Sequence, residues 1–207
     1  MNAPEIGGSR RRIPKQARAR ERLERILDAA RRELERGPEA EITIESIAER
    51  AGVGVGSVYS YFSSKTALLL AVAATVMDEA DSEAARQFAA CLELPWRDAV
   101  SRTLDATLGV FRDASEYEKL LRTIRFTPEF AAVTTASNDR VADMMAMHPE
   151  FDRNGISQSK AVQICRTVVT AVNALQDRAL ADEHLDFDET LAETKRLVVG
   201  YLGTYLP

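Results

Sequence analysis

The stretch that most constrains this chain is residues 43–65, TIESIAERAGVGVGSVYSYFSSK. Ala48 stands four residues before Gly52, and Val58 stands six after it. This spacing suits two short helices joined by a tight turn. A small residue lets the helices cross closely, and a glycine takes the left-handed conformation that ends the first. A valine then packs the second helix against the first and leaves its other face free for a major groove. Thr43 is a good N-cap, and Glu45 in the first turn suits the helix dipole. Ile44, Ile47, Ala48 and Ala51 mark the buried face of the first short helix; Val58 and Phe62 face inward from the second.

Helical periodicity surrounds this stretch. Leu23, Ile26, Leu27, Ala30 and Leu34 form one apolar face before Gly37 and Pro38 end the run. Ser63 or Ser64 caps a fourth helix through Leu68, Leu69, Val72, Val76 and Ala80 to about residue 88. Further helices are expected near 96–112, 115–125 and 128–148, and two long amphipathic ones near 157–181 and 187–206. A loop is expected at 151–155. The expected fold is all-α, about nine helices without a strand. It divides at residue 65 into a basic arm with a helix-turn-helix domain (1–65) and a second, larger helical domain (66–207).

Residues 43–65, with RILDAARRELERG before and SSKTALLLAV after, closely resemble the DNA-binding domain of the TetR family of transcriptional regulators. The resemblance covers about residues 20–75, and the aromatic ending VYSYF followed by SSKTALL makes it specific. It implies that Thr43 bonds a phosphate through its hydroxyl and amide, and that Ser57 and Tyr59 reach base edges or nearby phosphates. Tyr61 would touch the DNA backbone, Lys65 would clamp a phosphate, and Gly56 would let the helix approach the duplex. Plainer roles stay open: Tyr59 and Tyr61 packing between helices, Thr43 acting only as a cap, Lys65 as a solvated charge.

Two positions depart from the family pattern. Gly54 stands where a polar cap is common, and Val55 where a basic or polar residue is common, so the reading helix carries no positive charge. Val55 is expected to make an apolar contact, such as to a thymine methyl. Affinity would then come from flanking phosphate contacts and a basic arm. The charge distribution fits: residues 1–25 hold eight Arg and Lys against three Glu, so a chain of net charge −5 has a surplus of five there and −10 in the remainder. Arg10, Arg11, Arg12 and Lys15 would follow the backbone or enter a minor groove, unless they form a plain disordered tail.

The same resemblance implies a central ligand pocket. Trp96, Phe111, Tyr117, Phe126, Met144 and Met145 are the candidate apolar walls, with Arg122 and Arg125 to pair an anionic ligand. It also implies a four-helix bundle with a symmetry mate, using Ile164, Val168, Val172 and Leu175 on one helix. The other helix would contribute Leu191, Val198, Tyr201, Leu202 and Tyr205, with Gly200 and Gly203 allowing close crossing. The expected partners are a palindromic operator in double-stranded DNA, a second copy of the chain and an unknown small-molecule effector.

Other chemistry is weakly supported. Gly52, Gly54 and Gly56 imitate a dinucleotide fingerprint, but a helix precedes them where a strand is required. Asp152, Asn154 and Gly155 imitate a calcium loop, but Gln163 stands where a bidentate acid is required. His148 and His184 are far apart, and Cys91 and Cys165 lack metal-site spacing. No nucleophile motif occurs, so neither an enzyme nor a cofactor is expected. The apolar run near 67–77 is too short to span a bilayer, and a cytoplasmic protein with reduced thiols is expected. The expected function is a ligand-responsive regulator, most simply a repressor released from its operator by a small molecule. The alternatives are a helical regulator without such a ligand and a helical enzyme or carrier with a borrowed DNA-binding domain.

Overall fold

The computed structural model describes residues 15–36, 42–182 and 184–207. It opens with α1 (Lys15–Glu35), α2 (Ile44–Ala51) and α3 (Val55–Tyr59), followed by the long α4 (Lys65–Cys91). Then come α5 (Trp96–Asp113), α6 (Ser115–Ile124), α7 (Pro128–Met145) and α8 (Pro149–Arg153), and finally α9 (Gln158–Ala181) and α10 (Phe187–Leu202). The described residues therefore hold ten helices and no strand, an all-α fold.

Local chemistry explains the helix-turn-helix. The Ser46 amide donates to Thr43 Oγ1 at 3.1 Å and the Thr43 amide to Ser46 Oγ at 3.4 Å, a reciprocal cap on α2. At the other end Gly52 has φ of 65°. The Gly52 amide donates to the Glu49 carbonyl at 3.1 Å and the Val53 amide to the Ala48 carbonyl at 3.0 Å, which satisfies the last carbonyls. Ile47, Ala48 and Val58 are buried, and the short turn sets α3 against α2. Glu33, buried on α1, is gripped by Arg50 of α2 at 2.5 Å and by Arg36 at 3.1 Å. Burial alone would raise its carboxyl pKa, but these hydrogen bonds and charges outweigh it and hold the group below its ordinary value.

Two apolar cores follow. The first joins Ile26, Ala30 and Leu34 of α1, Ile47 of α2 and Val58 of α3 to Leu68, Val72 and Val76 of α4, and continues into Phe111, Tyr117, Leu120 and Phe130. The second joins Trp96 and Leu108 of α5, Ala142 of α7, Phe151 of α8, Ile164 and Val168 of α9, and Val198 and Leu202 of α10. The expected division at residue 65 falls between α3 and α4, yet the first core runs across it without a break.

The extra helix is α8, within the stretch expected as a loop. His148 caps it, Pro149 occupies its first turn and Phe151 anchors it in the second core. One turn of helix is too short to leave a periodic signature. Helices also end earlier than expected, α7 at Met145 and α10 at Leu202, whereas α4 runs on to Cys91.

A Cβ added at Gly52 meets nothing within 4 Å, so its left-handed backbone is the sole obstacle to substitution. Gly52→Ala is therefore expected to cost about 1–2 kcal/mol in urea unfolding followed by circular dichroism. An unchanged or raised stability would show that the turn does not require this conformation.

Candidate nucleic-acid interface and ligand cavity

The face of the head formed by α3 is open and largely without bulk. Gly54 and Gly56 are exposed, Tyr59 is 51% exposed and Ser57 is half-buried. Val55 is also half-buried and packs onto the first core, so only part of it is available as the free apolar tip expected above. Thr43 uses its hydroxyl oxygen as the cap on α2 and keeps a proton to donate. Lys65 Nζ donates to the Ile42 carbonyl at 3.2 Å, which leaves two N–H groups for another acceptor.

Tyr61 differs from expectation. Its hydroxyl donates to the Ala19 carbonyl at 3.1 Å and so ties the end of α3 to α1. A phosphate oxygen only accepts, so in this arrangement Tyr61 has no proton for one. Arg10, Arg11 and Arg12 lie outside the described residues, as does the Lys15 side chain.

The structure adds two cations that the motif reading passed over. Arg22 and Arg25 of α1 border a concavity shared with Gly52, Val53, Gly54 and Ser57. Arg25 Nη1 donates to the Ala51 carbonyl at 3.4 Å and is thereby held beside the turn. Their three-residue spacing on one helix was legible, but only the fold sets that helix next to α3.

Behind the head, Arg31 of α1 links three helices. It reaches Glu79 of α4 at 2.6 Å and Glu116 of α6 at 2.7 Å, and Glu116 is itself buried. On its other side α6 packs against α9, where Tyr117 hydrogen-bonds the carboxylate of Asp177. Burial pushes Asp177 up to about 6, although the Tyr117 bond and the Arg125 charge pull the other way. Burial, and then the charge of Asp177, holds the Tyr117 hydroxyl well above its ordinary range.

Helices α4, α5, α7, α9 and α10 enclose a mainly apolar cavity of about 110 Å³. Trp96, Phe111 and Met145 stand on its wall. The other five residues expected there lie elsewhere. Phe126 is 85% exposed, with the Arg125 guanidinium 4.4 Å from its ring. Arg122 pairs with Glu118 at 2.8 Å, one turn away. Tyr117 is buried in the first core, its ring 4.8 Å from that of Phe111, and Met144 turns away from the lining that its neighbour Met145 joins. No arginine or lysine among the described residues lines the cavity, which removes the basis for an anionic ligand. Asp81 does line it, but its carboxylate accepts from Ser137 Oγ at 2.7 Å and pairs with Arg140 at 2.6 Å. The wall also includes Thr107, Asn138, Asn173 and His148, none of them chosen from sequence. Cys91 and Cys165 are free thiols on the same wall, and burial pushes Cys165 up to about 12. Among the described residues no three His, Cys, Asp or Glu side chains form a metal site. No helix there is long and apolar enough to cross a membrane.

Five residues of the stripe expected to meet a second copy face inward. Ile164, Val168, Val172, Val198 and Leu202 are buried in their own protomer, and four of them line the cavity. Leu175, Tyr201 and Tyr205 are half-buried. The outward faces carry Thr167, Thr170 and Ala174 on α9, with Leu197 (47% exposed) and Gly200 on α10. They meet where Tyr201 hydrogen-bonds Thr167. An amphipathic pattern marks the most apolar face, and here that face serves the protomer's own core.

A helix-turn-helix head is thus joined through one long helix to a cavity-bearing helical body. The chain belongs to the tetR family. Residues 26–72 match the model for bacterial regulatory proteins of the tetR family, and residues 95–202 match the tetracyclin repressor-like C-terminal domain. The HTH-type transcriptional repressor KstR of Rhodococcus jostii (strain RHA1) is 31% identical over 61% of this chain and 57% of its own length. KstR of Mycolicibacterium smegmatis is 37% identical over 32% of this chain and 33% of its own length. The chain thus matches little more than half of one curated relative and a third of the other. In fold it is similar to a TetR-family regulator from Mesorhizobium loti, with TM-score 0.69 and 16% identity, covering 92% of this chain and 99% of that one. It is also similar to the multidrug binding protein EbrR complexed with imidazole, with TM-score 0.66 and 18% identity over 90% and 95% of the two chains.

Because the unfolded pKa of an aspartate is near 3.8 and Asp177 folds at about 6, the native protein keeps a proton that the unfolded chain has released. Its contribution to stability therefore declines as pH rises between these values, by up to about 3 kcal/mol. Asp177→Asn removes the charge, so its melting temperature should exceed that of the parent at pH 8 by more than at pH 4. An equal difference at both pH values would contradict the shift.

Proposed function

We propose that this chain is a cytoplasmic, ligand-responsive repressor that binds a palindromic operator as a homodimer and leaves it when a small molecule fills the central cavity. The observation that carries the reading is the open, glycine-bearing face of α3, flanked by Arg22, Arg25 and Lys65, on a head whose core is continuous with α4. Gly56 lets the backbone approach the duplex, and Ser57 and Tyr59 are the side chains with access to base edges. Positioning comes from Thr43, Lys65 and the two arginines on phosphates. The proposed division of labour is a head through α3 and a sensing body from α4 onward.

The path for the response runs from the cavity through α4 and α6. Both line or adjoin the body, and both hold Arg31 of the head through Glu79 and Glu116. A ligand that moves α4 relative to α6 would disturb that shared grip and reset the head. The two curated relatives are named as transcriptional repressors, which supports repression as the direction of control. Fluorescence anisotropy on the DNA flanking the chain's own gene tests the reading, and failure to find any high-affinity site there would count decisively against it.

If Arg22 and Arg25 meet phosphates, Arg22→Ala and Arg25→Ala should each weaken all DNA sequences alike and reduce the salt dependence of binding by roughly one released ion. A change in sequence preference with the salt slope intact would assign them to bases instead.

The dimer is proposed to form through the outward faces of α9 and α10. Leu197→Glu puts a charge at the centre of that surface without touching either core. Light scattering should then report monomers, with operator affinity lowered at least roughly tenfold because one head reads few bases. A stable dimer of this variant would move the interface elsewhere.

A further inference from the structure

Two polar atoms enclosed around the cavity have no hydrogen-bond partner: Thr107 Oγ1 and His148 Nε2. His148 Nδ1 accepts the Glu150 amide at 3.3 Å as the cap of α8, so in the neutral ring the proton sits on Nε2. Burial is the main cause holding this imidazole below its ordinary pKa, with the Arg153 charge adding to it and Glu150 opposing. His148 thus puts a neutral ring on the cavity wall, with its N–H donor covered by neighbouring atoms and unanswered. Polar groups buried without a partner are uncommon in folded proteins, and two beside one cavity point to a missing molecule.

The remaining wall limits what that molecule is. Phe88, Trp96, Val100, Leu104, Met145 and Val169 supply hydrocarbon surface. Among the described residues the wall's one carboxylate, Asp81, is already matched by Ser137 and Arg140, and Asn138 and Asn173 bond each other. A ligand carboxylate would find no cation there, and an ammonium would find only an acid already satisfied. Either charge would be desolvated without compensation. At about 110 Å³ the space is smaller than engineered cavities of roughly 150 Å³ that hold benzene, so a single ring fits only as the wall yields.

We propose that the cavity widens slightly to take an uncharged, mainly hydrocarbon ligand of about one ring, with an oxygen that accepts the His148 Nε2–H as the imidazole turns toward it. Thr107, whose hydroxyl is likewise covered and unpartnered, is the second polar group beside that position. This ligand class rests on the cavity being the sensor site, and the test separates the two.

Trp96 is the only tryptophan and stands on the wall, so its emission reports occupancy without DNA. Benzyl alcohol, toluene, benzoate and benzylammonium share a ring and leave tryptophan excited at its red edge undisturbed. Titrated into the full chain, benzyl alcohol and toluene should bind, and each ion should bind at least roughly tenfold more weakly than the alcohol. His148→Asn keeps an acceptor for the cap of α8 but withdraws the donor from the cavity. It should weaken benzyl alcohol roughly three- to tenfold and leave toluene within about twofold. Tighter binding of either ion, no binding by any probe, or equal loss of alcohol and toluene in the variant would overturn the proposal. If the variant does not fold by circular dichroism, neutral-over-charged selectivity in the parent protein decides. A parallel operator titration distinguishes the two claims. Benzyl alcohol that fills the cavity without altering DNA affinity supports the ligand class and sinks the sensor reading, whereas release by benzoate alone overturns the ligand class.

Discussion

Everything in this molecule depends on α4 being buried at both ends by different partners. Leu68, Leu69, Val72 and Val76 lock its first half into the core of the head, while Ala84, Phe88 and Cys91 form part of the cavity wall further along. A helix of 27 residues is about 40 Å long, and close packing on both halves leaves it no way to bend cheaply. Movement at the cavity is then carried to the head as movement of a rod. Arg31 adds a charged link beside the apolar one, because Glu79 and Glu116 share its guanidinium across α1, α4 and α6.

The electrostatic arrangement separates two tasks. The reading helix is uncharged, and cations stand around it on α1 and at the start of α4. In the proposed function, binding strength and base selection therefore rest on different residues. The cavity does the opposite of the head: its wall neutralises or excludes charge. A negatively charged body with a neutral interior suits an effector drawn in by its hydrocarbon surface and oriented by one or two hydrogen bonds.

What could be read from sequence was local. Thr43, Gly52 and Val58 carry their roles in short-range backbone geometry and in spacing along one or two helices, and the fold keeps them as read. For Tyr61 the sequence leaves a DNA contact and packing between helices both open, because its partner, the Ala19 carbonyl, is 42 residues away. The cavity suffered similarly. Phe126 and Arg125 look like pocket residues by composition, yet they sit at the open end of α6, whereas His148 looked isolated until α4 and α8 brought Phe88 to 6.0 Å from it. The stripe of α9 and α10 is legible as apolar, but its most buried members, such as Ile164 and Val198, belong to the protomer's own core. Periodicity reports that a face is buried and says nothing of what buries it. Thr170 and Ala174 on the opposite face carry no periodic signal, whereas Gly200 beside them is legible in sequence as a point of close crossing.

The central claim is geometric: two copies of α3 stand one turn of DNA apart, and cavity occupancy changes that distance. Spin labels on a Ser63→Cys variant would measure it directly by dipolar spectroscopy, since Cys91 and Cys165 are buried and Ser63 is exposed. With operator bound, the account predicts one narrow separation of roughly 34–36 Å. Filling the cavity in the absence of DNA should shift or broaden it. No dipolar coupling at all, or a distance indifferent to both DNA and cavity occupant, would contradict the account.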